Sequence, residues 1–222
     1  MPAPVTRSLA ERLAFVRERT LPAQVPFVPE VRLYQATDVT PLWRATAAEL
    51  EGWDPAPFWA FPWAGGQALA RYVLDAPEVV RGRRVFDFAT GSGLVAIAAA
   101  YAGAATVTAC DLDPFCEAAI LANAELNGVA IEVRHADALA EPLAGFDVVL
   151  AGDVFYERAL AERSLAWFRD LARRGVAILV GDPGRIYSPG EGVSERAAYD
   201  VPVLAAIEGA DALRTRVLAV DP

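Results

Sequence analysis

Lysine is absent from this chain: all twenty basic side chains are arginine, so the sequence offers no side-chain amine of its own. Genomic composition is the simplest source of that bias. Histidine is nearly absent too, and any His-dependent nucleophilic scheme has only His135 to use, a residue on a strand pattern that is expected to be structural. The two cysteines, Cys110 and Cys116, flank an aspartate turn without CxxC spacing or neighbouring histidines, which argues against a disulfide framework and against zinc. No apolar run approaches the ~20 residues of a membrane span; the stretch Leu94–Tyr101 is alanine-rich and lies between Gly93 and Gly103. The first twenty residues mix Arg7, Arg12, Arg17 and Arg19 with Glu11 and Glu18 and lack an apolar h-region, so a cytoplasmic protein without a membrane partner is expected. A basic face is also lacking. The net charge is −9, and nucleic-acid affinity rests on phosphate neutralisation, so the expected partner is not nucleic acid, and a basic one is accommodated more easily.

With 222 residues and 55% hydrophobic content, the chain can fill one α/β domain with a modest extension, and a monomer is the expected state. The organisation changes near residue 80. Residues 1–80 read as an N-terminal extension: a Ser-capped helix over 8–19 with Leu9, Leu13 and Val16 on one face, a loop through Pro22, Pro26 and Pro29, a short strand at 31–34, and a lead-in helix opening on Gly65-Gly66. Residues 81–222 alternate: strand 84–89, helix 93–101, strand 105–111, helix 114–127, strands 131–136 and 146–152, helix 157–173, strand 175–181. That pattern predicts a Rossmann-like, doubly wound, mostly parallel sheet. The tail, apolar around 201–207 and 213–220, reads as an antiparallel edge pair joined across Gly209, and the Gly- and Pro-rich 182–195 as the most mobile loop.

The chemistry centres on Val-Phe-Asp-Phe-Ala-Thr-Gly-Ser-Gly (85–93) and on Asp111, eighteen residues after Gly93. A strand ending in a carboxylate, a glycine turn opening a helix and an acid closing the next strand make a nucleotide-type cofactor site, with Asp111 reaching ribose hydroxyls. Gly91-Ser92-Gly93-Leu94-Val95-Ala96 satisfies GxGxxA, which by itself permits a nicotinamide dinucleotide. Asp87 shifts the balance, because a carboxylate there repels a pyrophosphate and suits the ammonium of S-adenosylmethionine. Asp137 is either an adenine contact or a helix cap, and Asp113 before Pro114 is expected to cap a helix. Strands four and five end in Gly-Asp-Val-Phe-Tyr (152–156) and Gly-Asp-Pro-Gly-Arg (181–185), which puts Asp153, Tyr156, Asp182 and Arg185 on the ligand rim. The alternative for Asp153 is a cap on the helix beginning near Glu157. Trp63 is placed to cover the cofactor with its ring and hydrogen-bond through its indole, whereas Phe58, Trp59 and Phe61 are expected in the core.

Together these residues resemble the class I, seven-stranded methyltransferases, and more narrowly the lysine methyltransferases of the electron transfer flavoprotein β-subunit type. The resemblance covers nearly everything after about residue 28. It rests on Trp-Ala-Phe-Pro-Trp-Ala-Gly-Gly-Gln-Ala-Leu-Ala-Arg-Tyr (59–72), Asp-Phe-Ala-Thr-Gly-Ser-Gly (87–93), Asp-Leu-Asp-Pro (111–114), Asn-Ala-Glu-Leu-Asn (123–127) and the two strand ends above. It implies sheet order 3-2-1-4-5-7-6, S-adenosylmethionine as methyl donor with S-adenosylhomocysteine as product, and a lysine-bearing loop of the flavoprotein β subunit as substrate. The cofactor set is then Trp63, Asp87, Gly91, Gly93, Asp111, Leu112, Asp137, Ala138 and Gly152, with no metal. Asp153 and Tyr156 are the catalytic pair, and Asp153, Phe155, Asp182 and Arg185 are the substrate contacts, with Asp153 and Asp182 forming an acidic rim. One departure is Ala89, where the family has glycine; an ordinary φ is expected there. The alternatives are a methyltransferase for another protein of ribosomal-protein type or for a small molecule, and a non-catalytic S-adenosylmethionine-binding regulator. Base methylation is disfavoured, since strand four lacks Asn/Asp-Pro-Pro-Tyr.

Overall fold

The computed structural model describes residues 7–36, 42, 56–140 and 142–222. The chain begins with α1 (Leu9–Arg19), whose first turn is closed by a capping box: the Glu11 N–H donates to Ser8 Oγ at 3.3 Å, and Glu11 Oε2 accepts the Ser8 N–H at 2.7 Å. Its Phe15 and Val16 enter the main core, and Arg12 and Arg17 pair with Glu117 and Glu125 of α4 (Pro114–Asn127).

The proline segment that follows is not a loop. It forms a two-stranded antiparallel hairpin, β1 (Leu21–Val25) and β2 (Val28–Gln35), with Pro22 paired opposite Tyr34. A two-stranded ribbon is edge on both sides, so prolines missing a donor are tolerated where a central strand would reject them. The outer edge of β2 is closed by α4, since the N–H groups of Tyr34 and Arg32 donate to the side-chain oxygens of Asn123 (2.8 Å) and Asn127 (3.0 Å). Asn123 also donates to the Ser92 carbonyl at 2.8 Å, which ties the hairpin to the glycine loop and gives the Asn-Ala-Glu-Leu-Asn motif a structural reason.

The remaining elements are α2 (Ala64–Asp75), β3 (Arg84–Phe88), α3 (Leu94–Tyr101), β4 (Thr106–Asp111), β5 (Glu132–His135), β6 (Val148–Gly152), α5 (Arg158–Arg173), β7 (Ala177–Asp182), β8 (Val193–Pro202), α6 (Ala205–Glu208) and β9 (Ala212–Val220). Among the described residues no helix is long and apolar enough to cross a membrane. The main sheet runs β5-β4-β3-β6-β7-β9-β8, parallel except where β9 pairs with β7 and β8. Counted from β3 this is 3-2-1-4-5-7-6, as the resemblance implied. Central strands such as β6, Val-Val-Leu-Ala-Gly, are buried on both faces, which is why they read as continuous apolar runs.

The tail differs from the sequence reading. Residues 193–202 form the edge strand β8, and the apolar 205–207 belongs to α6 rather than to a strand. As an edge strand with half-exposed side chains, β8 carries Ser194, Glu195 and Arg196 and shows no apolar run to read. The loop before it is anchored at Asp182, which accepts from the Arg185 N–H (3.1 Å), Ser188 Oγ (2.6 Å) and Arg216 Nη2 (3.2 Å).

Candidate functional site

At the carboxyl ends of β3, β4 and β6 lies a cavity of about 480 Å³, within the ~300–1,000 Å³ of small-molecule sites. Its floor is the β3–α3 turn. Asp87 is fully buried; Oδ2 accepts from Thr90 Oγ1 and from the Ala96 N–H at 3.0 Å, while Oδ1 has no hydrogen-bond partner among the described residues. Burial pushes its pKa up to about 7, against the pull of those two donors. Gly91 and Gly93 lie at φ +56° and +82°, in the left-handed region. Ala89 does as well, at φ +50°, which corrects the expectation of an ordinary backbone there. An alanine in that region is strained, so Ala89→Gly is expected to raise stability by about 0.5 kcal/mol after the extra unfolded-state entropy of glycine is subtracted. Chemical denaturation measures it, and a less stable variant would contradict the strain argument.

Along the next strand ends, Asp111 accepts the Gly91 N–H at 2.9 Å and the Asp113 N–H at 3.0 Å, and burial raises its pKa. Leu112 is 54% exposed on the cavity wall, with Ala138 also lining it. His135 holds that wall by bonding through Nε2 to the Leu112 carbonyl at 2.8 Å. Asp113 caps α4 through the Phe115 N–H at 2.8 Å. Asp137 caps a turn, accepting the Leu139 N–H at 3.0 Å, and pairs with Arg163 at 3.1 Å, although it also lines the cavity. Trp63 lines the cavity as well, but its indole N–H is taken by the Phe58 carbonyl at 2.9 Å.

The part beside the ends of β6 and β7 is built on close backbone contact. Gly65 and Gly66 open α2 directly against the ends of β6 and β7: a Cβ on Gly152 would lie 2.7 Å from Gly66 Cα, and one on Gly65 would lie 2.6 Å from the Asp153 nitrogen. These glycines serve approach rather than turning. Asp153, at φ +63°, points back at this junction, and its Oδ2 accepts the Gly65 N–H at 3.1 Å in the first turn of α2. It therefore caps α2, not the helix after Glu157, which Glu157 caps itself. Arg185 grips the same carboxylate with Nε (2.6 Å) and Nη2 (2.9 Å) and reaches Glu208 with Nη1 and Nη2, both at 2.7 Å. Burial pushes the Asp153 carboxyl up while Arg185 pulls it down; burial of Arg185 is outweighed by Glu208 and Asp153, which hold the guanidinium above its ordinary range.

Tyr156 sits on the rim, 44% exposed, with its ring 5.4 Å from Phe58; burial, then the Asp111, Glu157 and Asp153 charges, push its hydroxyl up to about 12, so it is a neutral donor at physiological pH. Among the described residues it makes no hydrogen bond to Asp153. Three expectations need correction. Phe155 is buried in the core with Phe168 and outside the cavity lining, because the strand end turns it away. Asp182 is fully buried under Arg216 and Ser188 and forms no acidic rim. Phe58, expected in the core, is 38% exposed and lines the cavity, while Trp59 and Phe61 are buried. Among the cavity residues that sequence reasoning did not single out is Glu208, which falls in the connection between the two apolar runs of the tail.

The profile of the family described as ribosomal protein L11 methyltransferase (PrmA) matches residues 67–154. The electron transfer flavoprotein beta subunit lysine methyltransferase of Xenopus laevis is 39% identical over 178 residues, 78% of this chain and 70% of that protein. Its counterpart in Rattus norvegicus is 35% identical over 196 residues, 85% of this chain and 76% of that protein. The structure of magnesium protoporphyrin IX methyltransferase (ChlM) from Synechocystis PCC 6803 with bound SAM matches with a TM-score of 0.52 at 22% identity, covering 71% of this chain and 79% of that one, a likeness of fold.

Proposed function

The chain belongs to the electron transfer flavoprotein β-subunit lysine methyltransferase family, and from that premise we propose that it transfers methyl groups from S-adenosylmethionine to lysine side chains of an electron transfer flavoprotein β subunit. The observation that carries this reading is one cavity lined both by Asp87 near the end of β3 and by the Asp153–Arg185–Glu208 group beside the ends of β6 and β7. The residues fit the donor: Asp87 Oδ1 is a buried acceptor without a partner among the described residues, the kind of group an α-ammonium satisfies. Asp111 would accept from ribose hydroxyls, and Leu112 and Ala138 would cover the faces of an adenine. S-adenosylmethionine supplies an electrophilic methyl group on a sulfonium sulfur.

Asp153 receives N–H groups of the arriving lysine, and the Tyr156 hydroxyl oxygen accepts a further N–H, which leaves the nitrogen lone pair free and fixes its direction. The lysine must first lose a proton, to water at the cavity mouth, because the free lone pair is the nucleophile. Held so, the amine would be aimed at the donor's methyl carbon, and the donor would keep the electron pair of its carbon–sulfur bond and leave as S-adenosylhomocysteine. On this reading the protein acts as a monomer, without a metal, on a protein rather than on nucleic acid. The test is incubation with labelled S-adenosylmethionine and purified flavoprotein β subunit, with ribosomal protein L11 as comparison. Label on flavoprotein lysines is expected, whereas label on L11 alone or on small molecules only would overturn the assignment.

The Asp87 shift gives a second test. Its folded pKa lies above the unfolded value, so in the free protein its contribution to stability is complete below pH ~4 and is lost as pH rises through about 7. An ammonium docked on Oδ1 favours the carboxylate, so S-adenosylhomocysteine binding at pH 7 is expected to release about half a proton. Calorimetry in two buffers of different ionisation enthalpy reads that number. Equal heats in both would remove the ammonium from Asp87.

A further inference from the structure

The Arg185 guanidinium is shared by two carboxylates on adjacent edges, Asp153 through Nε and Nη2 and Glu208 through Nη2 and Nη1. All three side chains line the cavity, with Asp153 and Glu208 only 5% and 8% exposed. Arg185 and Asp153 alone would form a closed, neutral pair, which has no net field to draw a cation into a cavity. Glu208 changes that sum: two carboxylates against one guanidinium leave a charge of −1 beside the ends of β6 and β7. The other charged groups of the lining are Asp87 near the end of β3, and Asp111, Asp113 and Asp137 with its partner Arg163 at and beyond the carboxyl termini of β4 and β5.

We infer that Glu208 is a substrate-positioning residue: acting through Arg185, it leaves the Asp153 carboxylate uncompensated by one charge, and that charge receives the lysine ammonium. Arg185 then has a double task. It keeps two buried carboxylates from repelling each other, and it fixes Asp153 as a rigid acceptor with no loss of its anionic character. Glu208 reaches this place because the chain leaves the sheet between β8 and β9 for the single turn of α6, whose Ile207 also faces the cavity. The inference rests on the lysine-methylating reading above.

The test is steady-state methylation of the flavoprotein β subunit by the full chain and by Glu208→Gln and Glu208→Asp. Glu208→Gln removes the charge at nearly constant volume, and KM for the protein substrate is expected to rise about tenfold, with kcat and the Kd for S-adenosylhomocysteine near wild type. Glu208→Asp restores the charge and should recover most of the lost KM. An unchanged KM in Glu208→Gln would overturn the inference, as would equal losses in the two variants accompanied by a lower melting temperature and weaker cofactor binding, the signature of a purely structural bridge. A wild-type enzyme that leaves the flavoprotein unlabelled would overturn the substrate assignment, and this inference with it; label together with an unchanged KM would overturn this inference alone.

Discussion

Gly65→Ala is expected to cost on the order of 3 kcal/mol or to prevent folding, because its new Cβ has nowhere to go. It would lie 2.6 Å from the Asp153 nitrogen and 2.9 Å from Asp153 Cα, and closer still to the Gly181 carbonyl oxygen. These are backbone atoms of two neighbouring central strands, and a rotamer change cannot move them. The start of α2 would have to lift from the sheet, breaking the Gly65 N–H bond to Asp153 and uncovering the apolar face that holds Leu69 and Val73. Gly66→Ala is the control, since its Cβ would meet only Leu94 Cδ2 at 3.9 Å, an ordinary contact, and alanine favours helix. In denaturant unfolding, Gly66→Ala should match or exceed the wild type while Gly65→Ala falls far below it. Equal stability of the two variants would mean that the backbone approach is not as close as described.

Asp153→Asn is expected to lower methyl transfer by about 10²-fold while leaving cofactor binding intact. The carboxylate accepts three N–H donors, two from Arg185 and one from Gly65. An asparagine presents one oxygen and one NH2, so at least one of those donors faces another donor, and Arg185 must shift. The charge of the Asp153–Arg185–Glu208 group also goes from −1 to zero, removing the attraction for an ammonium. The backbone is not the cause of the loss, because asparagine tolerates φ +63° at least as well as aspartate. Single-turnover methylation alongside S-adenosylhomocysteine titration separates the effects. Normal transfer with normal cofactor affinity would take Asp153 out of the mechanism.

Much of this was legible because the relevant signals are local. The Ser8 cap, the Asp113-Pro114 start of α4 and the continuous apolar runs of β6 and β7 each declare themselves within a few residues, and the βα alternation then fixes a doubly wound sheet. The glycine loop with Asp87 and Asp111 was readable for the same reason. What escaped depends on distant partners. Nothing near Asp182 shows that Arg216 will bury it, and nothing near Glu208 announces Arg185. Gly65, Gly152 and Gly181 look like turn residues until three segments meet, and the hairpin of β1 and β2 hid behind prolines that an edge ribbon tolerates. Ala89 was misread because its φ is imposed by the loop it closes rather than by its own preference.

The guanidinium at position 185 has one more consequence. A cation held against the cavity wall between Asp153 and Glu208 occupies the neighbourhood where a substrate amine is activated, and in a methyl-transferring enzyme a lysine there would stand as a rival acceptor tethered to the catalyst. Arginine keeps its charge and stays unreactive, because its pKa lies too far above neutrality to expose a lone pair. The cation that shapes the cavity is thus a far weaker methyl acceptor than a lysine amine in the same place would be.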